Sequence, residues 1–224
     1  MENLKALTEA VCCVAREAGH FLKEERKSFR REVVQEKHAH DYVSYVDKAS
    51  EKKVVSALRK LLPEAGFIAE EGSAAYSDET YCWVVDPLDG TTNYIHDNAP
   101  YCVSIALRDK QSLLLGVVYE PCRDECFYAW KGGGAYVNGE RLRVSLVSEP
   151  KDAFVVTELP YNFEQYARTG EHLIHELYGK VAGIRMNGSS ALALCYVAAG
   201  RFDAWLEAFI AVSYTHLRAH ETLR

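Results

Sequence analysis

The sequence predicts a layered fold of the α/β (α+β) kind, a sandwich of alternating helix and sheet layers, on three observations. Apolar residues recur at three and four positions through residues 4–22 and again through 54–62, the spacing of helices that bury one face. Short runs rich in β-branched and aromatic residues, separated by turn signals, fill residues 67–140. From residue 154 the pattern returns to strand, helix and strand, after a polar run at 145–152 that contains Pro150. That run marks a boundary near residue 148, between an N-terminal α+β domain (1–148) and a C-terminal α/β domain (149–212).

In order, Leu4, Leu7, Val11, Val14, Ala18 and Leu22 form the apolar stripe of a first helix reaching about Lys27. Residues 37–41 read as a polar loop, in which His38 and His40 lack a third partner and are taken as surface histidines. Asp47 opens a second helix, as an N-cap or first-turn residue, and Pro63 stops it. Residues 67–69 make a brief strand ending in Glu70-Glu71, whose side chains point to opposite sides, so one of them can face a site. On the residues alone the pair also reads as a solvated loop. Residues 101–107 and 113–119 alternate as strands around a turn at 109–111, and 126–140 read as a strand, a glycine bend and an Asn-Gly hairpin. Gly132-Gly133-Gly134 has no Lys-Ser/Thr after it and no helix, so it is a bend and not a phosphate loop. These strands are expected to form one antiparallel sheet backed by the two helices. Residues 154–156 form a strand, about 162–180 a helix, 191–199 an apolar helix closed by Gly200, and 202–206 a strand.

The chain has 224 residues, 48% hydrophobic and 26% charged, enough to bury a sizeable core. Its formal charge of −6 argues against nucleic acid as the main partner and leaves small phosphorylated compounds open if a metal neutralises their site. Seven scattered cysteines fit a reducing cytoplasm, and no signal-like segment or long apolar run indicates export or a membrane span.

The candidate site is the string Asp86-Pro87-Leu88-Asp89-Gly90-Thr91-Thr92-Asn93, delivered by the buried strand at 82–85. Pro87 and Gly90 are expected to end that strand in a tight turn. Two carboxylates three residues apart on such a turn converge and repel unless a cation lies between them, and a hard divalent ion is the natural occupant. Thr91, Thr92 and Asn93 offer N-cap chemistry for a helix start whose free N–H groups suit a phosphate. Alone, an Asp-Pro-x-Asp-Gly string is also a common surface turn.

The eight-residue string resembles the signature of the inositol monophosphatase family of Mg2+-dependent, lithium-sensitive phosphatases, and Asp47, Glu70-Glu71, Gly188-Ser189-Ser190 and Glu207 extend the resemblance. It implies that family's fold, and Mg2+ held by Glu70, Asp86, Asp89 and the Leu88 carbonyl. It also implies that Glu70, Thr91 and Asp47 activate and orient the attacking water, with Asp47 accepting the Thr91 hydroxyl. Gly90 and Thr91 N–H groups would take the phosphate, and Gly188, Ser189, Ser190 and Glu207 the substrate hydroxyls. Lys37 matches, loosely, a lysine of a loop over the site. The implied activity is hydrolysis of an inositol phosphate; 3'-phosphoadenosine 5'-phosphate and fructose 1,6-bisphosphate are alternative substrates on the same core, and a non-catalytic metal- or partner-binding form is a further one. Neither nucleic acid nor membrane is an expected partner, and the intact family member is expected to be a homodimer.

After Glu207 the resemblance stops. The family's Trp-Asp-x-Ala-Ala-Gly segment, whose Asp is a metal ligand, has Ser213 and Tyr214 at its first two places. Residues 213–224 are therefore read as a tail foreign to the family and the second domain as incomplete. His216 and His220 in that tail, like His172 and His175 earlier, are read as chance pairs on a helical face.

Overall fold

The computed structural model of the chain describes residues 3–30, 34–38, 41–72, 79–159 and 163–207. The expectations for Ser213, Tyr214 and the tail, for His40 and for the start of the fourth helix at residue 162 lie outside these residues, and so do the side chains of Lys37 and His38.

Helix α1 (Leu4–Arg26) is capped by the Asn3 side chain, which accepts the Ala6 N–H at 3.0 Å. Its stripe buries Val11, Ala15, Ala18 and Leu22 almost completely, each of the larger side chains contributing about 1.5–3 kcal/mol by leaving water. The expected polar loop is instead a short antiparallel pair, β1 (Gln35–His38) and β2 (Asp41–Val43), whose irregular register hides any clean alternation in so few residues. Helix α2 (Tyr45–Leu61) begins two residues before Asp47, which stands in its first turn, one of the two expected places. Ser44 is the N-cap, and Asp47 at N3 returns a bond to the Ser44 N–H at 2.8 Å, a reciprocal capping box.

One sheet holds β3 (Gly66–Ala69), β4 (Tyr81–Asp89), β5 (Cys102–Asp109), β6 (Leu113–Glu120), β7 (Glu125–Trp130), β8 (Gly134–Val137) and β9 (Glu140–Arg141), side by side in chain order. It is not wholly antiparallel, because β3 runs parallel to β4. The connection between them passes through residues outside the description, and both strands carry their chemistry at the same end. Helices α1 and α2 cover one face, where Trp83, Val85, Val103, Ile105, Leu107 and Tyr119 join their stripes in one core.

The opposite face is covered by α5 (Ser190–Ala198), whose Leu192 and Ala193 pack with Cys102, Val118 and Phe127 of the sheet and Val156 beyond it. Its sequence is apolar on every side, as a helix held between two sheets requires. The second sheet has three parallel strands in the order β11 (Gly183–Arg185), β10 (Phe154–Glu158), β12 (Ala204–Glu207), with α4 (Phe163–Leu177) and α5 as the crossovers. The layers are thus a helix pair, a seven-stranded sheet, a helix and a three-stranded sheet. The short helix α3 (Thr91–Ile95) sits where β4 ends and is tied to the first layer by the Tyr94 hydroxyl, which donates to Leu22 O at 3.0 Å.

Candidate active site

The expected strand end at Asp86 lies three residues too early. Strand β4 runs on through Pro87 to Asp89, buried from Cys82 onward. Asp86 faces Ser104 and Asp89 faces Cys102, so three steps on β4 oppose two on β5. This bulge places Pro87, which has no N–H to give, where the ladder is interrupted, and it turns the two carboxylates away from regular strand positions. Two bonds fix it: the Ser50 hydroxyl of α2 donates to Pro87 O at 3.2 Å, and the Leu88 N–H donates to Asp86 Oδ1 at 3.1 Å.

Asp86 is 3% exposed, and burial is the main force holding its carboxyl well above the usual range. The Glu70 and Asp89 charges and a side-chain hydrogen bond with Glu70 push it the same way, and the Leu88 N–H opposes them weakly. Glu70 comes from the end of β3 and is exposed at the mouth of the site; its N–H is anchored on Val85 O at 3.2 Å. The fully buried Glu51 of α2 holds the next residue, accepting the Glu71 N–H at 2.6 Å. Of the two adjacent glutamates, then, Glu70 meets Asp86. Glu51 had not been singled out from the sequence, where it reads as one more charge on a helix.

Thr91 Oγ1 lies 3.0 Å from Leu88 O and 3.3 Å from Asp47 Oδ1, with Asp47 only 2% exposed and fixed by Ser44. The Thr91–Asp47 contact implied by the resemblance is present. The Thr-Thr-Asn cap is not: α3 takes Gly90 as its N-cap, at φ +90°, with no side-chain capping bond. Asn93 is used differently. Its Nδ2 donates to Pro100 O and to Asn187 O, each at 2.7 Å, clasping the loop to the chain before α5.

Gly188, Ser189 and Ser190 arrive on that clasp. Ser189 caps α5, and its hydroxyl and the Ala191 N–H both donate to Asp89 Oδ2. Cys102 Sγ stands 3.8 Å from the same oxygen, and the Gly90 N–H also bonds this carboxylate. Burial raises the Asp89 carboxyl to about 6 against these donors, which pull it down. Glu207, the last residue of β12, accepts the Ser190 hydroxyl at 2.7 Å; burial outweighs that bond and sets its carboxyl at about 7. Beside it, Glu158 at the end of β10 accepts two backbone N–H groups of the turn, a residue nothing in the local sequence had marked.

All the predicted site residues therefore converge on one end of the sheets, but they do not form a ready cage. Among the described residues no three Asp, Glu, His or Cys side chains group around one point as metal ligands. The reason is visible in the donors: Asp89 finds neutral N–H and O–H partners, whereas Asp86 has the Glu70 carboxyl against it and one backbone N–H. Ser104, register partner of Asp86, adds a buried hydroxyl with no hydrogen-bond partner. The Glu70 and Asp86 carboxyls, with Asp89 near enough to push Asp86 up, are hard oxygen donors, the kind that suits Mg2+.

A pH dependence follows. Carboxyls raised by folding stabilise the protein fully below their unfolded values, about 4, and that stability is lost as pH rises through the folded ones, about 6 for Asp89 and about 7 for Glu207. The metal-free protein is expected to show a falling Tm across this window, and Mg2+, which requires the ionised forms, to bind with proton release and to restore Tm most at the alkaline end. Thermal melts with and without Mg2+, and calorimetry in two buffers of different ionisation enthalpy, measure both.

The family model described as the inositol monophosphatase family matches residues 3–213. The Nus factor SuhB of Escherichia coli K12 is 39% identical over 194 residues, covering 86% of this chain and 73% of its own. The fructose-1,6-bisphosphatase/inositol-1-monophosphatase of Aquifex aeolicus is 36% identical over 207 residues, 92% of this chain and 78% of that one. Among solved structures, the extragenic suppressor protein SuhB of Bartonella henselae superposes with a TM-score of 0.86 at 34% identity, covering 93% of this chain and 81% of that chain.

Proposed function

Because the chain belongs to the inositol monophosphatase family, we propose that it hydrolyses a phosphate monoester, inositol 1-phosphate, with Mg2+ as cofactor in a reducing cytoplasm. The observation that carries this reading is the buried Asp86 carboxyl pressed against Glu70 beside a helix start with no side-chain cap. Glu70, Asp86, Asp89 and the Leu88 carbonyl are the residues that would hold the cation. Bound there, it supplies neutralising charge for the phosphate oxygens and the leaving oxygen.

The chain's own groups do the rest. The Thr91 hydroxyl points its hydrogen at Asp47 and the Leu88 carbonyl, so its oxygen is left to accept a hydrogen bond from a water and orient that water's oxygen toward phosphorus. Glu70, the exposed carboxylate, takes the other proton of that water. The Thr91 N–H at the start of α3, where no side chain caps the helix, supports a role in holding phosphate oxygens, while the Gly90 N–H is already bonded to the Asp89 carboxylate. Ser190 and Glu207, hydrogen-bonded to each other, would meet the substrate's hydroxyls, with the free lone pairs of Ser190 and Glu207 as acceptors. Positioning and charge stabilisation are what phosphoryl transfer chiefly asks of a protein.

Phosphate release from inositol 1-phosphate, fructose 1,6-bisphosphate and 3'-phosphoadenosine 5'-phosphate, each titrated with Mg2+, tests the reading. Mg2+-dependent turnover fastest on the first supports it, and no release from any of them sinks it. The Aquifex relative is named for two of these activities, so fructose 1,6-bisphosphate is the substrate to set against inositol 1-phosphate. A second reading, a partner-binding protein without turnover, takes its support from the Escherichia coli relative being named a Nus factor. It predicts no phosphate release at any Mg2+ concentration.

Thr91→Ala is expected to lower kcat roughly 10- to 100-fold through loss of water alignment, while Thr91→Ser, which keeps the hydroxyl, stays within about threefold. Steady-state kinetics on both variants check this.

A further inference from the structure

We infer that Glu158, at the C-terminal end of β10, is a positioning residue of this site that sets Asp89 and the Gly90–Asn93 loop through the turn at residues 187–189. The inference rests on the phosphatase reading above for what is being positioned. A single oxygen, Glu158 Oε1, accepts the N–H groups of Asn187 and Gly188, both at 2.8 Å. Two bonds from consecutive amides to one oxygen fix both the position and the orientation of a short segment, and they ask for an acceptor at that reach and not for its charge. The held segment is in contact with the site on three sides. Asn187 O receives the Asn93 amide at 2.7 Å. Gly188 stands at φ +73° so close to Asn93 that a Cβ there would lie 2.9 Å from Asn93 Nδ2, and its own carbonyl oxygen would lie 3.1 Å from a Cβ on Gly90. The following residue, Ser189, donates to Asp89.

Glu158 itself is placed for this and not for chemistry. It pairs in register with Glu207 on the neighbouring parallel strand. The two carboxylates divide the turn between them, Glu158 taking its backbone amides and Glu207 the Ser190 hydroxyl. One strand end therefore controls where a proposed metal ligand and a proposed phosphate cradle stand relative to each other, although Glu158 is 69 residues from Asp89 in sequence. Groups that orient metal ligands in this way typically contribute 10- to 100-fold to affinity or activity.

The test uses three variants of the whole chain. Glu158→Gln keeps an acceptor oxygen at the same reach; Glu158→Asp keeps the charge but withdraws it by one methylene; Glu158→Ala removes both. We expect E158Q to retain kcat within about threefold. E158D and E158A should lose about 10- to 100-fold in kcat per folded molecule and need about 10-fold more Mg2+ for half-maximal activity. A role in stability alone would lower Tm without moving kcat per folded molecule or the Mg2+ requirement, and that result overturns the inference. So does an E158Q as impaired as E158D. If the wild-type chain hydrolyses no monoester, the proposed function falls, and Glu158 is judged separately by Mn2+ affinity and by amide exchange at Asn187 and Gly188. Faster exchange and weaker Mn2+ binding in E158D but not E158Q uphold the inference; unchanged values in both overturn it.

Discussion

Asp86→Asn is expected to lower Mg2+-dependent phosphate release by about a thousandfold or more and to leave the metal-free fold at least as stable as before. The catalytic side follows from charge. A metal site stabilises several kcal/mol of transition-state charge, and each ~1.4 kcal/mol lost is tenfold in rate. An amide in place of the most buried carboxylate of the set cannot hold the cation against water. The stability side follows from burial and from Glu70. In the metal-free protein burial and the neighbouring charges already disfavour the ionised Asp86, and its carboxyl shares a hydrogen bond with Glu70. An Asn amide donates that same bond without a charge to desolvate. The combination is diagnostic. A fall in activity with a matching fall in Tm would place Asp86 in the fold and not in the chemistry, and full turnover by the variant would remove it from the site. Thermal melts without Mg2+ and phosphate release with it are the two measurements.

What the sequence made legible was local. The stripe of α1 and the Asn-Gly hairpin each follow from a short window, and the structure has both; β5 and β6 are strands as expected, but covered on both faces they are buried at successive residues and do not alternate. The capping box is also local, Ser44 followed three residues later by Asp47, but an Asp at N3 is a weaker signal than the Glu or Gln of the usual box. Long-range pairing was not legible: nothing in residues 66–69 says that β3 runs parallel to β4, or that Pro87 lies inside a bulged strand and not after one. The site divides the same way. Asp86, Asp89, Gly90 and Thr91 lie within six residues and are visible as a string, whereas Glu51 and Glu158 act through backbone groups of distant segments and carry no motif. Asn93 lies inside the string, but its amide serves residues 100 and 187 and not the start of α3, a role no local reading of Thr-Thr-Asn shows.

Gly90→Ala is the second large effect, and it separates two costs that usually arrive together. Gly90 is at φ +90°, a conformation disfavoured for any residue with a side chain. That term alone is about 1–3 kcal/mol. The surroundings add to it, since a Cβ would lie 3.0 Å from Pro100 O, 3.1 Å from Gly188 O and 3.2 Å from Tyr101 Cα. All three are backbone atoms held by the Asn93 clasp and by β5, so none can swing aside as a side-chain tip would. Relief has to come from moving the loop away from α5, which carries Thr91 away from Asp47 and Asp89 away from Ser189. A displacement of about 1 Å costs roughly a hundredfold in rate. Gly132→Ala is the control: it has φ +81° but nothing within 4 Å of the added carbon, so it bears the conformational cost without the clash. We expect Gly132→Ala to lower Tm by only a few degrees with activity intact. Gly90→Ala should lower it by roughly 5–10 °C and lose about a hundredfold in kcat. Equal Tm losses in the two variants, with activity retained in both, would mean that the loop accommodates a side chain at Gly90 and that its close packing against Pro100 and Gly188 does not set the site.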